Sequence, residues 1–241
     1  MEYTNSDWKK LSEELADKCV RSEDDFMPDP FKSPKLQRQI AVKELAKMME
    51  MPAFFSYVDQ GIEAIAEKMG NLPEEEQEKI FNLIDYLEEA FESIHDTNAF
   101  VNNKGVIDIS NGLGLSPETL LPLENLGMEC LANSEWPAEV GIFSVLALLN
   151  TTEPRYLFLR ALGFYFTHAW EEGLNNIEAA IAMNPFQPEY FILAASLSLT
   201  KDPKKAKEYF DEALMQFKHN PSELSAFWQE RYDELKMQLQ G

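Results

Sequence analysis

Cysteine, histidine and basic residues are scarce in this 241-residue sequence, and each scarcity removes a class of function. The two cysteines, Cys19 and Cys130, lie far apart and belong to no CxxC or Cys/His spacing, which excludes a disulfide framework or a zinc site and fits a reducing compartment. His95, His168 and His219 are the three histidines, and none has a second ligand three or four residues away, so each reads as a surface or boundary residue. There is no phosphate-binding glycine loop, no GxSxG and no acidic cluster with metal-loop spacing, so the expectation is a protein that is not an enzyme and carries no metal or cofactor. With 21 Lys and Arg against 42 Asp and Glu, the formal charge of −21 repels phosphate and argues against nucleic-acid or anionic-membrane partners. No run approaches the roughly 18 consecutive apolar residues of a membrane span. The polar opening from Met1 to Lys10 lacks the apolar core of a signal peptide. Stable membrane insertion and general export are therefore not expected.

What is present is core material: 45% of residues are hydrophobic and 12% aromatic, ample for one or two packed domains. Ser6 is a good N-cap for a helix carrying Trp8, Leu11, Leu15 and Cys19, and an acidic, proline-bearing linker follows from Glu23 to Pro34. The helical pattern returns over Lys35–Glu50, is broken or bent by Pro52, and resumes over Ala53–Met69. Pro73 before Glu74, Glu75 and Glu76 predicts a helix start, because the proline ring suits the first turn and the carboxylates meet the positive end of the helix dipole; that helix runs to about Ile94. Val101, Val106, Ile107 and Ile109 flank an Asn-Asn-Lys-Gly turn signal, which reads as either a small hairpin over 100–109 or a buried connecting loop. Asn111, Gly112 and Gly114 mark a boundary, dividing a mainly helical N-terminal domain, 1–110, from a second domain, 111–241.

The second domain repeats itself with a period of 34 residues, the signature of two-helix tetratricopeptide units. Gly127, Ala161 and Ala194 share a small-residue slot, and Cys130, Phe164 and Leu197 share an apolar slot three residues on. Trp136 matches Trp170 at the turn, where the third unit has Pro203. Glu139, Gly173 and Ala206 share the next small slot, with Glu139 out of character; Phe143, Ile177 and Phe210 follow, then Leu146, Ala180 and Ala213. Small residues at these slots let paired helices approach closely, and large ones fill the space between units. Phe164, Trp170 and Phe210 are expected in the core, as is Cys130. After Pro221 the segment Ser222–Gln240 reads as an amphipathic helix, with Leu224, Phe227, Trp228, Tyr232 and Leu235 apolar, that caps the stack. The fold class is thus all-α: a three-repeat tetratricopeptide-like array with a capping helix.

From Gly112 to about His219 the sequence resembles the class II type III secretion chaperones, the tetratricopeptide chaperones of translocator proteins. The carriers are Gly-Leu-Gly-Leu-Ser-Pro-Glu-Thr-Leu at 112–120, Phe-Ser-Val-Leu-Ala-Leu-Leu at 143–149 and the segment Pro185–Ala195. Residues 1–110 have no counterpart in that family, whose N-terminal part is much shorter. The resemblance implies a bacterial, cytoplasmic, non-catalytic chaperone that holds an apolar segment of a secreted translocator or effector protein.

In such arrays peptides bind the concave face, made by positions 2, 5, 9, 12 and 13 of each first helix. Here that face is mostly apolar and aromatic, and the candidate contacts are Met128, Leu131, Phe158, Leu162, Tyr165, Phe166, Phe191, Ala195 and Leu199. Only Arg155 among the face positions offers a cation, which disfavours clamping of a terminal carboxylate. Aromatics at helical spacing serve equally as core, so groove and core remain alternatives for Phe158, Tyr165, Phe166 and Phe191. A second class of function also fits: an adaptor whose repeats join two folded components, with residues 1–110 as a docking domain, a lid over the groove or a homodimer interface.

Overall fold

The computed structural model describes residues 52–92, 109–219 and 224–240. Among these, all regular structure is helical. The elements are α1 (Pro52–Met69), α2 (Glu74–Glu92), α3 (Ile109–Gly112), α4 (Pro117–Ala132), α5 (Trp136–Leu149), α6 (Pro154–Phe166), α7 (Trp170–Met183), α8 (Pro188–Ser198), α9 (Pro203–His219) and α10 (Ala226–Gln240). The helices expected around residues 6–19 and 35–50, together with Cys19 and His95, lie outside the described residues. So does the hairpin or loop of 100–109, except Ile109, which opens α3 and is helical.

The chain forms two compact units. One holds the described residues up to Leu126 together with Leu148–Thr151; the other holds Gly127–Ala147 and Thr152 onward. The division therefore falls inside α4 and α5, whereas the composition shift in the sequence falls at 110. In the first unit, α1 starts on Pro52 itself, which suits a first helical position because its missing N–H has no partner there anyway. Pro73 stands before α2 and its carbonyl accepts from the backbone of Glu76 and Gln77 at 2.9 and 3.0 Å. Val58, Ile65, Ile80, Leu83, Leu113, Leu120 and Leu123 are buried in this unit, and the Tyr86 hydroxyl donates to the Leu113 carbonyl at 2.8 Å. Ser116 caps α4, its Oγ accepting from the Thr119 N–H at 3.3 Å.

The second unit is the tetratricopeptide-like array. Its second helices open at Trp136, Trp170 and Pro203, spaced by 34 and 33 residues. Apart from the turn slot of Trp136, Trp170 and Pro203, the residues at the repeat slots are buried, from Gly127, Ala161 and Ala194 through Cys130, Phe164 and Leu197 to Leu146, Ala180 and Ala213. Phe164 and Phe210 are core as expected; Trp170 is only half-buried, because it sits at the first position of α7, where the helix turns back. The turns inside the first two units are alike. Ser134 and His168 both take the left-handed conformation, with φ of 61° and 62°. In each, the next N–H bonds back to the carbonyl five residues earlier: Glu135 to Cys130 and Ala169 to Phe164, both at 2.9 Å. This is the Schellman closure of a helix end. The third unit turns on Pro203 instead, and Lys201 and Asp202 both bond to the Ser198 carbonyl.

Glu139 explains its own departure from the small-residue slot. It is fully buried, neither carboxylate oxygen has a hydrogen-bond partner among the described residues, and it lies against Gly163 of α6. A Cβ on Gly163 would stand 2.5 Å from a methyl of Val140 and still closer to the Glu139 carboxylate. The small residue has moved to the facing helix. Burial pushes the Glu139 carboxyl up to about 9, against a smaller downward pull from the Arg160 guanidinium, so the acid is neutral at pH 7.

Three outcomes follow. Gly127→Ala puts a Cβ 2.9 Å from two ring carbons of Phe143, and this overpacking lowers stability by about 1–3 kcal/mol, read as a reduced midpoint in urea. His168→Gly removes left-handed strain worth about 1 kcal/mol and raises the melting temperature; an unchanged or lower value counts against the turn geometry. The folded Glu139 carboxyl titrates near 9 and its unfolded counterpart near 4.5. Its stabilising protonated form is therefore complete below pH 4.5 and lost as pH rises through 9, a change on the order of a few kcal/mol. Glu139→Gln removes that slope, which denaturation at pH 5, 7 and 9 measures against the wild type.

Candidate binding face

The nine candidate residues fall on the first helices of the array or, for Leu199, just past the end of one, and the structure leaves none of them exposed. Met128, Leu131, Phe158, Tyr165, Phe166 and Leu199 are half-buried, while Leu162, Phe191 and Ala195 are buried. Leu162 belongs to the cluster of Ala161, Ile177, Leu193 and Leu197. Phe191 and Ala195 belong to a second cluster with Ile192, Phe210 and Ala213. That cluster includes one residue from the end of the chain, Leu235 of α10, which is fully buried.

The aromatics of these helices fall in two groups. Phe166 stacks on Trp136 with centroids 4.1 Å apart and planes 14° from parallel, and Tyr165 meets Phe166 and Trp170 edge-on at 5.2 and 5.7 Å. One helical turn and more toward the start of α6, Phe158 stacks on Tyr190 of α8 at 4.8 Å. Burial pushes the Tyr190 hydroxyl up to about 12, with the Glu153 charge adding to it, so this ring stays neutral across the usable pH range. The positions exist because α6 and α8 each open on a proline, Pro154 and Pro188. The N–H of Arg155 is also held by the Glu153 side chain at 3.0 Å. Those starts set the helical phase that puts 158, 162, 165 and 166 on one side. Arg155, the lone cation among the face positions, is exposed. The face is thus a largely aromatic and apolar surface, with Arg155 its one cation.

The residues that sequence reasoning did not assign to this face come from α10. The Trp228 ring lies 5.6 Å from Phe158, and Phe227 lies 6.1 Å from Phe166. The Arg231 guanidinium sits over the Tyr165 ring at 5.2 Å and donates from Nε to the Ser196 hydroxyl at 3.0 Å. Its other arm pairs with Glu234 of its own helix. Tyr232 stacks on Phe210 at 5.2 Å and meets Phe217 edge-on at 5.7 Å. The helix therefore caps the third unit, as the sequence pattern predicts, and also reaches back to the first helix of the second unit. The apolar stripe was visible in the sequence; a cation–π contact made by an arginine between two apolar residues was not.

Among the described residues no group of three His, Cys, Asp or Glu side chains is arranged to hold a metal ion, and no helix is long and apolar enough to cross a membrane. No protein-family model and no curated protein matches the chain. Among solved structures it is similar to a chain of a CopN–Scc3 complex, at 14% identity and a TM-score of 0.50, over 64% of this chain and 95% of that one. It is also similar to a chain in the crystal structure of PcrH in complex with the chaperone binding region of PopD, at 21% identity and a TM-score of 0.46, over 53% of this chain and 92% of that one. The likeness to the first is one of fold, and the resemblance read from the residues of 112–219 is matched at that level by an all-helical, repeat-built array.

Proposed function

We propose that this protein is a non-catalytic chaperone of a bacterial type III secretion system, holding an apolar segment of a secreted translocator or effector protein in the cytoplasm until export. One observation carries the reading: the first helices of a tetratricopeptide-like array present two aromatic groups, Phe166 with Trp136 and Tyr165, and Phe158 with Tyr190. The sequence resemblance to translocator chaperones and the fold shared with a chain of the CopN–Scc3 complex support it. Such a surface removes apolar area of the partner from water at about 25 cal/mol per Å², without breaking a covalent bond. It thereby keeps a membrane-active segment from aggregating. The absence of a cation cluster on the face is consistent with recognition of an internal apolar stretch instead of a carboxyl terminus.

Co-expression with the membrane-active secreted proteins encoded nearby is expected to turn an otherwise insoluble partner into a soluble complex. The double variant Phe158→Ala/Phe166→Ala is expected to weaken that complex while circular dichroism stays helical, because two aromatic anchors at about 2 kcal/mol each leave the face. Undiminished capture by a folded variant rejects the face; loss of helicity assigns both rings to the core. The adaptor reading draws on a different observation, the exposed Ile62, Phe81 and Ile84 of α1 and α2 in the other unit. It gains ground if a folded component is pulled down through those residues while no insoluble partner is rescued.

A further inference from the structure

We propose that α10 is an internal occupant of the binding face, and that a partner segment gains the face only by displacing it. This rests on the chaperone reading for the identity of the displacing partner, but the occupancy stands on the contacts alone. A helix that merely capped the stack would touch the third unit. Here Phe227 and Trp228 reach Phe166 and Phe158 of α6, Arg231 bridges Tyr165 of α6 and Ser196 of α8, and Leu235 closes over the cluster containing Phe191 and Ala195. Adjacent aromatics, an arginine three residues on and a leucine four further make a complementary stripe on consecutive turns of one helix. The chemistry of a displacing segment follows: an amphipathic helix with paired aromatics, a cation one turn later and an aliphatic residue a turn after that.

The hold is built to be reversible. Of the stripe, only Leu235 is fully buried; Phe227 remains 42% exposed, and Trp228, Arg231 and Tyr232 are half-buried. Sparse burial of this kind places a segment at the low end of local opening free energies. The short connection between α9 and α10 gives the helix an effective concentration of about 1 mM at the face. For an intrinsic dissociation constant of about 10 μM, that closes the face about 100 to 1 and weakens an external segment by the same factor. Loss of one aromatic anchor, about 30-fold in affinity, reduces closure to about 3 to 1. The external segment then binds about 25-fold more tightly.

The test uses the full chain and a fluorescent peptide copying residues 224–240. Anisotropy titration is expected to show weak binding to the wild type and about 25-fold tighter binding to Trp228→Ala, with a smaller gain for Arg231→Ala. A peptide that itself carries the Trp228→Ala change is expected to bind neither. Equal affinity of the peptide for wild type and both variants overturns the proposal. Where circular dichroism shows Trp228→Ala unfolded, Arg231→Ala decides alone, together with hydrogen exchange of the wild type. Amides of 226–240 are expected to exchange faster than those of α8, and equal protection overturns the proposal. Running the co-expression assay on the same variants separates the two readings. Tighter peptide binding without partner rescue overturns the chaperone reading and leaves the occupancy standing. Rescue that is present in the wild type and unimproved in both variants overturns the occupancy and leaves the chaperone reading standing.

Discussion

Everything in the array depends on how closely its paired helices approach. Gly127 lies in van der Waals contact with the Phe143 ring, Gly173 with Leu197 and Phe164, and Gly163 with Glu139 and Val140. At each of these places a single additional carbon would overlap its neighbour. Close approach lets a large residue from one helix fill the space vacated on the next, which is the condition for interior packing density. It also fixes the rotation of each first helix about its axis, and through that rotation decides which side chains are left for the outer faces. The aromatic surface on α6 and α8 is thus a by-product of core geometry before it is anything else.

The array was legible because its information is periodic. Slots that recur at 33 or 34 residues identify themselves by mutual agreement, so Phe143, Ile177 and Phe210 could be placed in the core without knowing any contact. Glu139 shows what periodicity misses. Its slot calls for a small residue, and the compensating one is Gly163, which belongs to a different position of the next unit. The signal was present as a glycine in a helix interior, which costs about 1 kcal/mol relative to alanine and so needs a reason. No single-position comparison links it to a glutamate in the preceding unit.

The aromatic face was legible in composition, and what packs on it was not. Helical phase alone places Phe158, Tyr165 and Phe166 on one side of α6, and the structure packs all three against one core cluster and joins Tyr165 to Phe166. Phase cannot say what lies over Phe191 and Ala195, because the residue concerned, Leu235, comes from beyond the repeats. The amphipathic character of α10 announced that it covers something apolar. Its direction across the array depends on Arg231, whose contribution is a contact with a ring face and a hydroxyl instead of an acidic partner on another helix.

The return of α10 to the second unit changes the connectivity of the array. Stacked repeats ordinarily form a linear chain of interfaces, in which each unit senses only its neighbours and a terminal unit can fray without cost to the rest. Contacts from Trp228 to Phe158 and from Leu235 to the cluster of Phe191 tie the second and third units together at a second point. Opening at one point must break two interfaces, so the second and third units melt as a pair while α10 is seated, and recover independent behaviour when it leaves. Helix α10 thereby sets how far a disturbance travels between the second and third repeats, a property of topology that no individual interface possesses.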